Sequence, residues 1–579
     1  MNKSEKNLSK GLLENVLILI KCPFIIIPII FIAICYSYTI THFSIGVDDT
    51  AMKLYFEDGM AVNSGRWTLF FLNRILHLNF INWPTWTTEI IAVFLLFIAA
   101  LFWASNFNIV FSKCKRNVEN KCYLVTSLIA VSLFVSNSII SEIFVYYIHN
   151  GICLGYCLCA LAVYELIVFL SDDQKVWKKV HYIILSIIFL IVSVGCYETM
   201  LECFVIGALL CFFITHTFGS KENRLYSFFS WVVSGALVCF ITVLARTVIL
   251  FILKKVYSLE SMSIGYNKLF GDCFSERGYL SMLIKKIYMK YYVHSVVYLP
   301  ITIYVIAIII LFFVSICTII KKRDFFPLAS LIGIALFQIL MSIVAGRAEA
   351  YHSAQFLPVV SMAAYLVVGN TFFSTPPPHS KFNNVAVASF LTIGIISCIL
   401  QSIDMNKWFI QDYKKSEETK QIMTEVAEEL LDNYDYSKPV VIEGATLFNP
   451  ELYAEACIPF SSWKYRIICY LTNPIDIHLK EKFNANYAGL GYAYAESPTL
   501  SVLTWAHNPF ENASPVKNQQ YINYWKMIGY NQFSYIETDE IMNEASEIRK
   551  EKCLPGYPND GYIYETDDYI IISLSPYDN

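Results

Sequence analysis

Two adjacent carboxylates, Asp48 and Asp49, follow the first long apolar stretch of the chain, in the segment SIGVDDTAMKLYFEDGMAVNSGRWTLFFLNRIL (44–76). Neighbouring carboxylates repel each other and are costly to desolvate near lipid. Such a pair can do two kinds of chemistry. One carboxylate can take a proton from an attacking hydroxyl, or both can hold a divalent cation such as Mg or Mn through oxygen ligands. A solvated loop with a chance Asp pair is the plain alternative.

Cationic and sugar-binding candidates lie nearby in the pattern. Arg66, in Gly65-Arg66-Trp67, is of the type that grips a phosphate bidentately; an interfacial anchor has the same composition. The turn GRAEAYHSAQF (346–356) crowds Arg347, Glu349, Tyr351 and His352. Lys285, Lys286 and Lys290, with His294, form a basic run suited to an anionic lipid phosphate. Glu142 with Tyr146, Tyr147, His149 and Asn150, and Glu198 with Tyr197 and Glu202, place carboxylates beside aromatic rings. A carboxylate accepts sugar hydroxyls and a ring packs on a sugar face. Aromatic belts at membrane boundaries share that composition. Glu165 and Arg246 fall within apolar stretches, where a charge is a functional candidate by default, but neither has a partner that spacing identifies.

These residues need a membrane scaffold. Of the 579 residues, 56% are hydrophobic and 16% charged, against roughly 45–50% and 25% in soluble domains, and mean hydropathy is +0.49. Disordered, collagenous and disulfide-framework chains are excluded by the same composition. With about 20 apolar residues per crossing, eleven spans are expected, at 22–41, 90–110, 122–141, 151–170, 181–197, 203–220, 226–253, 296–320, 325–346, 356–373 and 382–403. With the N-terminus inside, the inner segments carry 17 Lys and Arg in 63 residues and the outer ones 11 in 104. That bias favours a cytoplasmic N-terminus in a cell membrane and puts everything after residue 403 outside. The acidic candidates then gather at outer span ends. Two outer stretches, 67–80 and 279–299, are amphipathic enough to lie in the interface plane.

The net charge of −4 hides a division. Residues 1–403 hold 29 basic and 20 acidic residues; residues 404–579 hold 14 and 27. The expected architecture is an all-α polytopic membrane domain over 1–403 and a small extracytoplasmic α/β domain over 404–579. In the latter, helices are predicted at 411–433 and 538–552, a strand at 438–444 and a strand pair at 561–574. Of the 17 cysteines, 14 precede residue 404 and none forms a CxxC pair; in a membrane they behave as small apolar residues. The first apolar segment reads as an anchor, with no small-residue cleavage site. There is no P-loop, GxGxxG after a strand, HExxH or GxSxG, and nothing resembles a basic nucleic-acid footprint.

The acidic pair, followed by an amphipathic stretch with Gly-Arg-Trp, resembles the GtrII-like glucosyltransferases that modify bacterial O-antigens, polytopic enzymes of the GT-C class. The resemblance covers about residues 20–400. It implies a sugar carried on polyprenyl phosphate as donor, a surface glycan as acceptor, and Asp48 or Asp49 as catalytic base. Arg66, Arg347, Lys286 and Lys290 would then hold the departing phosphate. Glu142, Tyr197, Glu198, Glu349 and His352 would position sugars, and a divalent cation at the Asp pair is an option. The expected reaction is inverting transfer of a hexose, glucose first among them. A flippase of lipid-linked glycans, or a surface-polymer polymerase or ligase of related architecture, are the alternatives.

Overall fold

The computed structural model describes residues 11–45, 49, 59–76, 84–116, 118–146, 150–170, 176–219, 224–257, 299–345, 354–373, 381–444, 515–536 and 538–575. The chain is mostly helical. In order come α1 (Leu12–Lys21), α2 (Ile26–Thr41), α3 (Met60–Asn63), α4 (Trp67–Leu76), α5 (Thr85–Lys113), α6 (Lys121–Val135) and α7 (Ser141–Phe144). Then follow α8 (Ile152–Phe169), α9 (Val176–Cys196), α10 (Met200–Phe218), α11 (Arg224–Val256), α12 (Leu299–Lys322), α13 (Phe326–Ala345), α14 (Leu357–Phe373) and α15 (Lys381–Asn433).

Among the described residues nine helices are long and apolar enough to cross a membrane, and the chain is a multi-pass membrane protein. Each of the eleven expected spans coincides with a helix; the two beyond those nine are shorter apolar ones, Phe326–Met341 and Leu357–Phe373. Proline marks helix starts. Pro300, Pro327 and Pro358 are each the second residue of their helix, where the missing N–H costs nothing. The candidate interfacial stretch at 67–80 begins as α4, but Trp67, Thr68, Leu69 and Phe70 are buried in the bundle rather than laid on its surface.

Lipid offers no hydrophobic drive between helices, so close approach and hydrogen bonds hold the bundle together. Gly207 lets Trp103 seat on α10, and Gly155 touches Cys196 and Met200. Tyr36 donates to the Val135 carbonyl (2.8 Å), Asn106 to Ala160 (2.8 Å), Ser186 to Ala162 (2.8 Å) and Ser193 to Gly155 (2.7 Å). Asn108 accepts from Tyr123 at 3.0 Å. Helices α11 and α12 present Phe240, Phe251 and Phe313 outward, the side that meets lipid.

At the end opposite the acidic candidates, the α12–α13 turn is clamped to α10. His216 Nδ1 lies 3.2 Å from Asp324 Oδ2, and Lys322 donates to the carbonyls of Thr217 (2.6 Å) and Gly219 (3.1 Å). A cation on the last carbonyls of a helix satisfies groups that have no partner within it.

Helix α15 runs 53 residues without a break. At 1.5 Å per residue it is about 80 Å long, far beyond the ~30 Å hydrocarbon core. Its last turns form one layer of a small α/β unit. The sheet order is β1-β3-β2, from β1 (Val440–Glu443), β2 (Ile563–Glu565) and β3 (Ile570–Ser573). Val440 pairs in parallel with Ile570, and Ile563 antiparallel with Ile572. Strand alternation sends Val440, Ile442, Ile570 and Ile572 against Met423, Val426 and Leu430 of α15 and Trp525 of α16 (Pro515–Met527). Val441 and Ile571 face the other way, onto Met542 and Ala545 of α17 (Asp539–Glu551). The predicted helices and strands of this region are present; α16 was not predicted, and the 411–433 helix is the continuation of the last span.

A buried ion pair closes the unit: Arg549 Nη1 lies 3.1 Å from Glu443 Oε2 while its Nε donates to Ser573 (2.8 Å). Removing one partner strands the other charge in the core. Arg549→Met is therefore expected to destabilise this unit by about 3 kcal/mol, read as faster hydrogen exchange in β1 and β3 of the full-length protein. Adding Glu443→Leu should recover much of the loss.

Candidate active site

The end of the bundle reached by the C-termini of α2, α6, α9 and α11 collects the charged candidates. Its best-defined corner is the α3–α4 turn. Gly65 has φ +86°, a left-handed conformation that glycine adopts without steric cost. Its N–H donates to the Val62 carbonyl (3.0 Å) and the Arg66 N–H to Ala61 (2.7 Å), the Schellman pattern that ends a helix. The Arg66 carbonyl then accepts from the Phe70 N–H (3.2 Å), so three residues, Ser64 to Arg66, make the whole turn between the two helices.

A second demand falls on the same glycine. A Cβ on Gly65 would run into the guanidinium of Arg246, so Arg246 of α11 packs close against this backbone. Arg246 precedes the end of α11 by ten residues, about 15 Å along the axis. The 33 residues of α11 reach ~50 Å, well past a bilayer core, which leaves Arg246 near the boundary rather than at mid-depth. On the other side, Gly195 makes room for Trp67 and Thr68, and Thr68 donates to the Val192 carbonyl (2.9 Å). Helix α4 is thus fixed to α9.

Arg66 emerges from this corner with its Cζ 4.7 Å above the Tyr197 ring and its Nε 3.6 Å from Glu198 Oε2. The structure therefore joins three of the sequence candidates, Arg66, Tyr197 and Glu198. The cation–π contact and the partly exposed ion pair are each worth about 1 kcal/mol or less; they aim the guanidinium more than they stabilise the fold.

Several polar atoms around this corner are buried and make no hydrogen bond among the described residues: Trp67 Nε1, Asn150 Oδ1 and Nδ2, Thr199 Oγ1 and Arg246 Nε. Asn150 opens α8 beside Gly151, which touches Leu69 of α4. Buried polar groups nearly always have partners, so several unmet donors and acceptors in one region are what a polar ligand would satisfy.

The acidic side is carried by other elements. Asp49 is almost completely buried, at 1% exposure. It lies within electrostatic reach of Glu89, a buried carboxylate on the first turns of α5. Thr39 of α2 donates to Glu89 Oε1 at 3.4 Å. Glu142 is buried in α7, and the Ser138 turn before it donates to Asp404 Oδ2 at 2.6 Å. Among the described residues no three His, Cys, Asp or Glu side chains gather to hold a metal ion.

Asp48, Arg347, Glu349, His352, Lys286 and Lys290 lie outside the described residues. Glu89, Asp404 and Asp412 were not among the sequence candidates, and only Glu89, as an acid near a span start, carried any sequence signal.

Gly65→Ala places a side chain at positive φ, at a cost of about 1–2 kcal/mol, and displaces Arg246. It should lower the melting temperature of the purified protein. Gly235→Ala, where a Cβ meets nothing, should leave it unchanged or raise it slightly.

No curated protein and no solved structure matches the chain. A family model described as glucosyl transferase GtrII matches residues 17–371. The match is more than half of the chain, bears out the resemblance seen in the Asp48–Trp67 segment, and stops before α15. By that match the chain belongs to the GtrII glucosyltransferase family.

Proposed function

We propose that this membrane glucosyltransferase moves a glucosyl unit from a polyprenyl phosphate to a hydroxyl of a surface glycan of the O-antigen type, at the outer face of the cell membrane. The observation that carries the reading is the burial of Asp49 within electrostatic reach of a second buried carboxylate, at the end of the bundle where Arg66 and Arg246 supply positive charge. The Lys and Arg bias of the loops supports an outward orientation for that end, and with it an extracytoplasmic C-terminal domain from residue 404.

The chemistry follows from the separation of charge. Asp49, or its neighbour Asp48, accepts the proton of the acceptor hydroxyl. The oxygen attacks the anomeric carbon, and the bond from that carbon to the phosphate oxygen breaks, its electron pair leaving on the polyprenyl phosphate. A single displacement of this kind inverts the anomeric centre. Arg66 and Arg246 stabilise the charge that builds on the leaving phosphate. Base and leaving group belong on opposite faces of the sugar, and here they come from different helices: the acids from the α2–α5 side and α7, the cations from α4 and α11. Tyr197, Glu198 and Glu142 orient the sugars. Arg347, Glu349, His352, Lys286 and Lys290 complete the proposed donor and acceptor contacts. No nucleotide motif is needed when the donor is a lipid.

The test is direct. Detergent-purified protein is given a synthetic isoprenyl phosphoglucose and, separately, a nucleotide sugar, with glycan product followed by mass spectrometry. Product is expected from the lipid donor alone. Asp48→Asn and Asp49→Asn are compared singly. Loss of the base should cost about 10²–10⁴-fold in rate with membrane insertion unchanged. Full activity in both variants would remove the catalytic assignment, and transfer from the nucleotide sugar alone would remove the donor.

A further inference from the structure

The region after residue 371 lies outside the family match, yet it touches the segment that bears the acidic pair. The Ile45 backbone N–H donates to Ser416 Oγ at 3.0 Å. Ser44 donates a hydrogen bond to Asp412 Oδ2. The Ile45 side chain packs against the core that Met423, Val426 and Trp525 build in the C-terminal unit. Ile45 precedes Asp49 by four residues, so this anchor lies within about 14 Å of chain from the buried carboxylate.

The contacts follow a slowly winding stripe of α15. Asp404, Trp408, Asp412 and Ser416 recur every four residues, with ~6 Å between successive members and a drift of about 40° per step. Asp404 holds the Ser138 turn that leads into Glu142. Trp408 is buried in the bundle core. Asp412 and Ser416 hold Ser44 and Ile45. Below them, Asn406 donates to the Ile34 carbonyl (2.8 Å) and Cys35 Sγ lies 3.1 Å from Ser402 Oγ, so α2 is fixed to the same helix from which its own exit loop hangs. Two acidic segments far apart in sequence are thereby set at fixed heights along one rod.

We propose that α15 and the C-terminal unit position the first outer loop: Ser416 and Asp412 are positioning residues that act through Asp49 by holding Ser44 and Ile45 in place. This rests on the assignment of the Asp pair as catalytic, and it gives the C-terminal region a role in the transfer step itself rather than in acceptor capture. A base must be held close to its working geometry; a displacement of about 1 Å costs up to 10²-fold in rate. Loss of the anchor should therefore lower kcat and leave donor binding, which the Arg66 corner carries, nearly as it was.

The experiment uses the full-length protein with the isoprenyl phosphoglucose probe. Ser416→Ala removes the acceptor of the Ile45 N–H; Ser416→Thr keeps a hydroxyl. In Ser416→Ala, kcat is expected to fall about tenfold to a hundredfold, KM for the probe to change less than about twofold, and deuterium uptake of the peptide holding Ile45 to quicken. Ser416→Thr should restore most of both. Faster exchange with wild-type kcat would overturn the proposal, because the anchor would be lost without consequence. So would unchanged exchange in Ser416→Ala, or a Thr variant as impaired as the Ala one. Full activity in both Asp48→Asn and Asp49→Asn would instead sink the catalytic assignment, while the exchange result would still report whether the loop is anchored.

Discussion

Taking a charge out of water is the constraint around which this protein is arranged. A lone carboxylate or guanidinium in a low-dielectric region is costly by several kcal/mol even after relaxation, and a bilayer core has no water to lessen that cost. The bundle answers by keeping its interior to neutral hydrogen bonds, such as Tyr36 to Val135 and Asn106 to Ala160, and by confining most charges to its two ends. At one end the charges are matched and serve the fold: Asp324 faces His216, and Lys322 sits on the terminal carbonyls of α10. At the other, Asp49 and Glu89 are buried within electrostatic reach of each other, and Arg246 lies against a glycine backbone with a buried nitrogen that makes no hydrogen bond among the described residues. The two ends differ in kind.

Gly65 shows how a local rule and a distant contact can specify one residue. The Schellman turn demands positive φ at the position after α3. The Arg246 guanidinium, 181 positions along the chain, occupies the space that a Cβ at the same position would take. The two requirements together define the direction in which Arg66 leaves the turn, and hence its stacking on Tyr197 and its pairing with Glu198. The corner is built from α4, α9 and α11, so its geometry depends on how three membrane helices pack.

What the sequence made legible divides along the same line. Long apolar runs located the membrane helices, because the bilayer sets their length. Strand alternation and helix formers located β1, the β2–β3 pair and α17, because those patterns are local. The Arg66–Tyr197–Glu198 residues stood out as types, but their meeting did not, since no spacing rule links residues 66 and 198. Arg246 stands out as an intramembrane charge; its packing beside Gly65 is a contact that no charge pattern points to. The contacts from Ser44 and Ile45 to α15 span 368 and 371 positions, and Asp412 and Ser416 sit in a stretch that reads as an ordinary acidic helix. The segment 411–433 was legible as helical, yet its continuity with the last span was not, because apolar character ends near residue 403 while backbone geometry does not.

That continuity gives the architecture its logic. A loop leaving a membrane helix is free to sample many conformations, and ordering each of its residues costs about 1–2 kcal/mol. A catalytic carboxylate on such a loop needs something rigid beside it. Within the bilayer, rigidity comes from neighbouring helices; above it there are none unless a span continues outward. Helix α15 does so, and the α/β unit packed on its far turns, with its own core around Trp525 and its own buried Arg549–Glu443 pair, keeps those turns from fraying. The stripe from Asp404 to Ser416 then carries the regularity of a transmembrane helix into the space where sugar chemistry would occur.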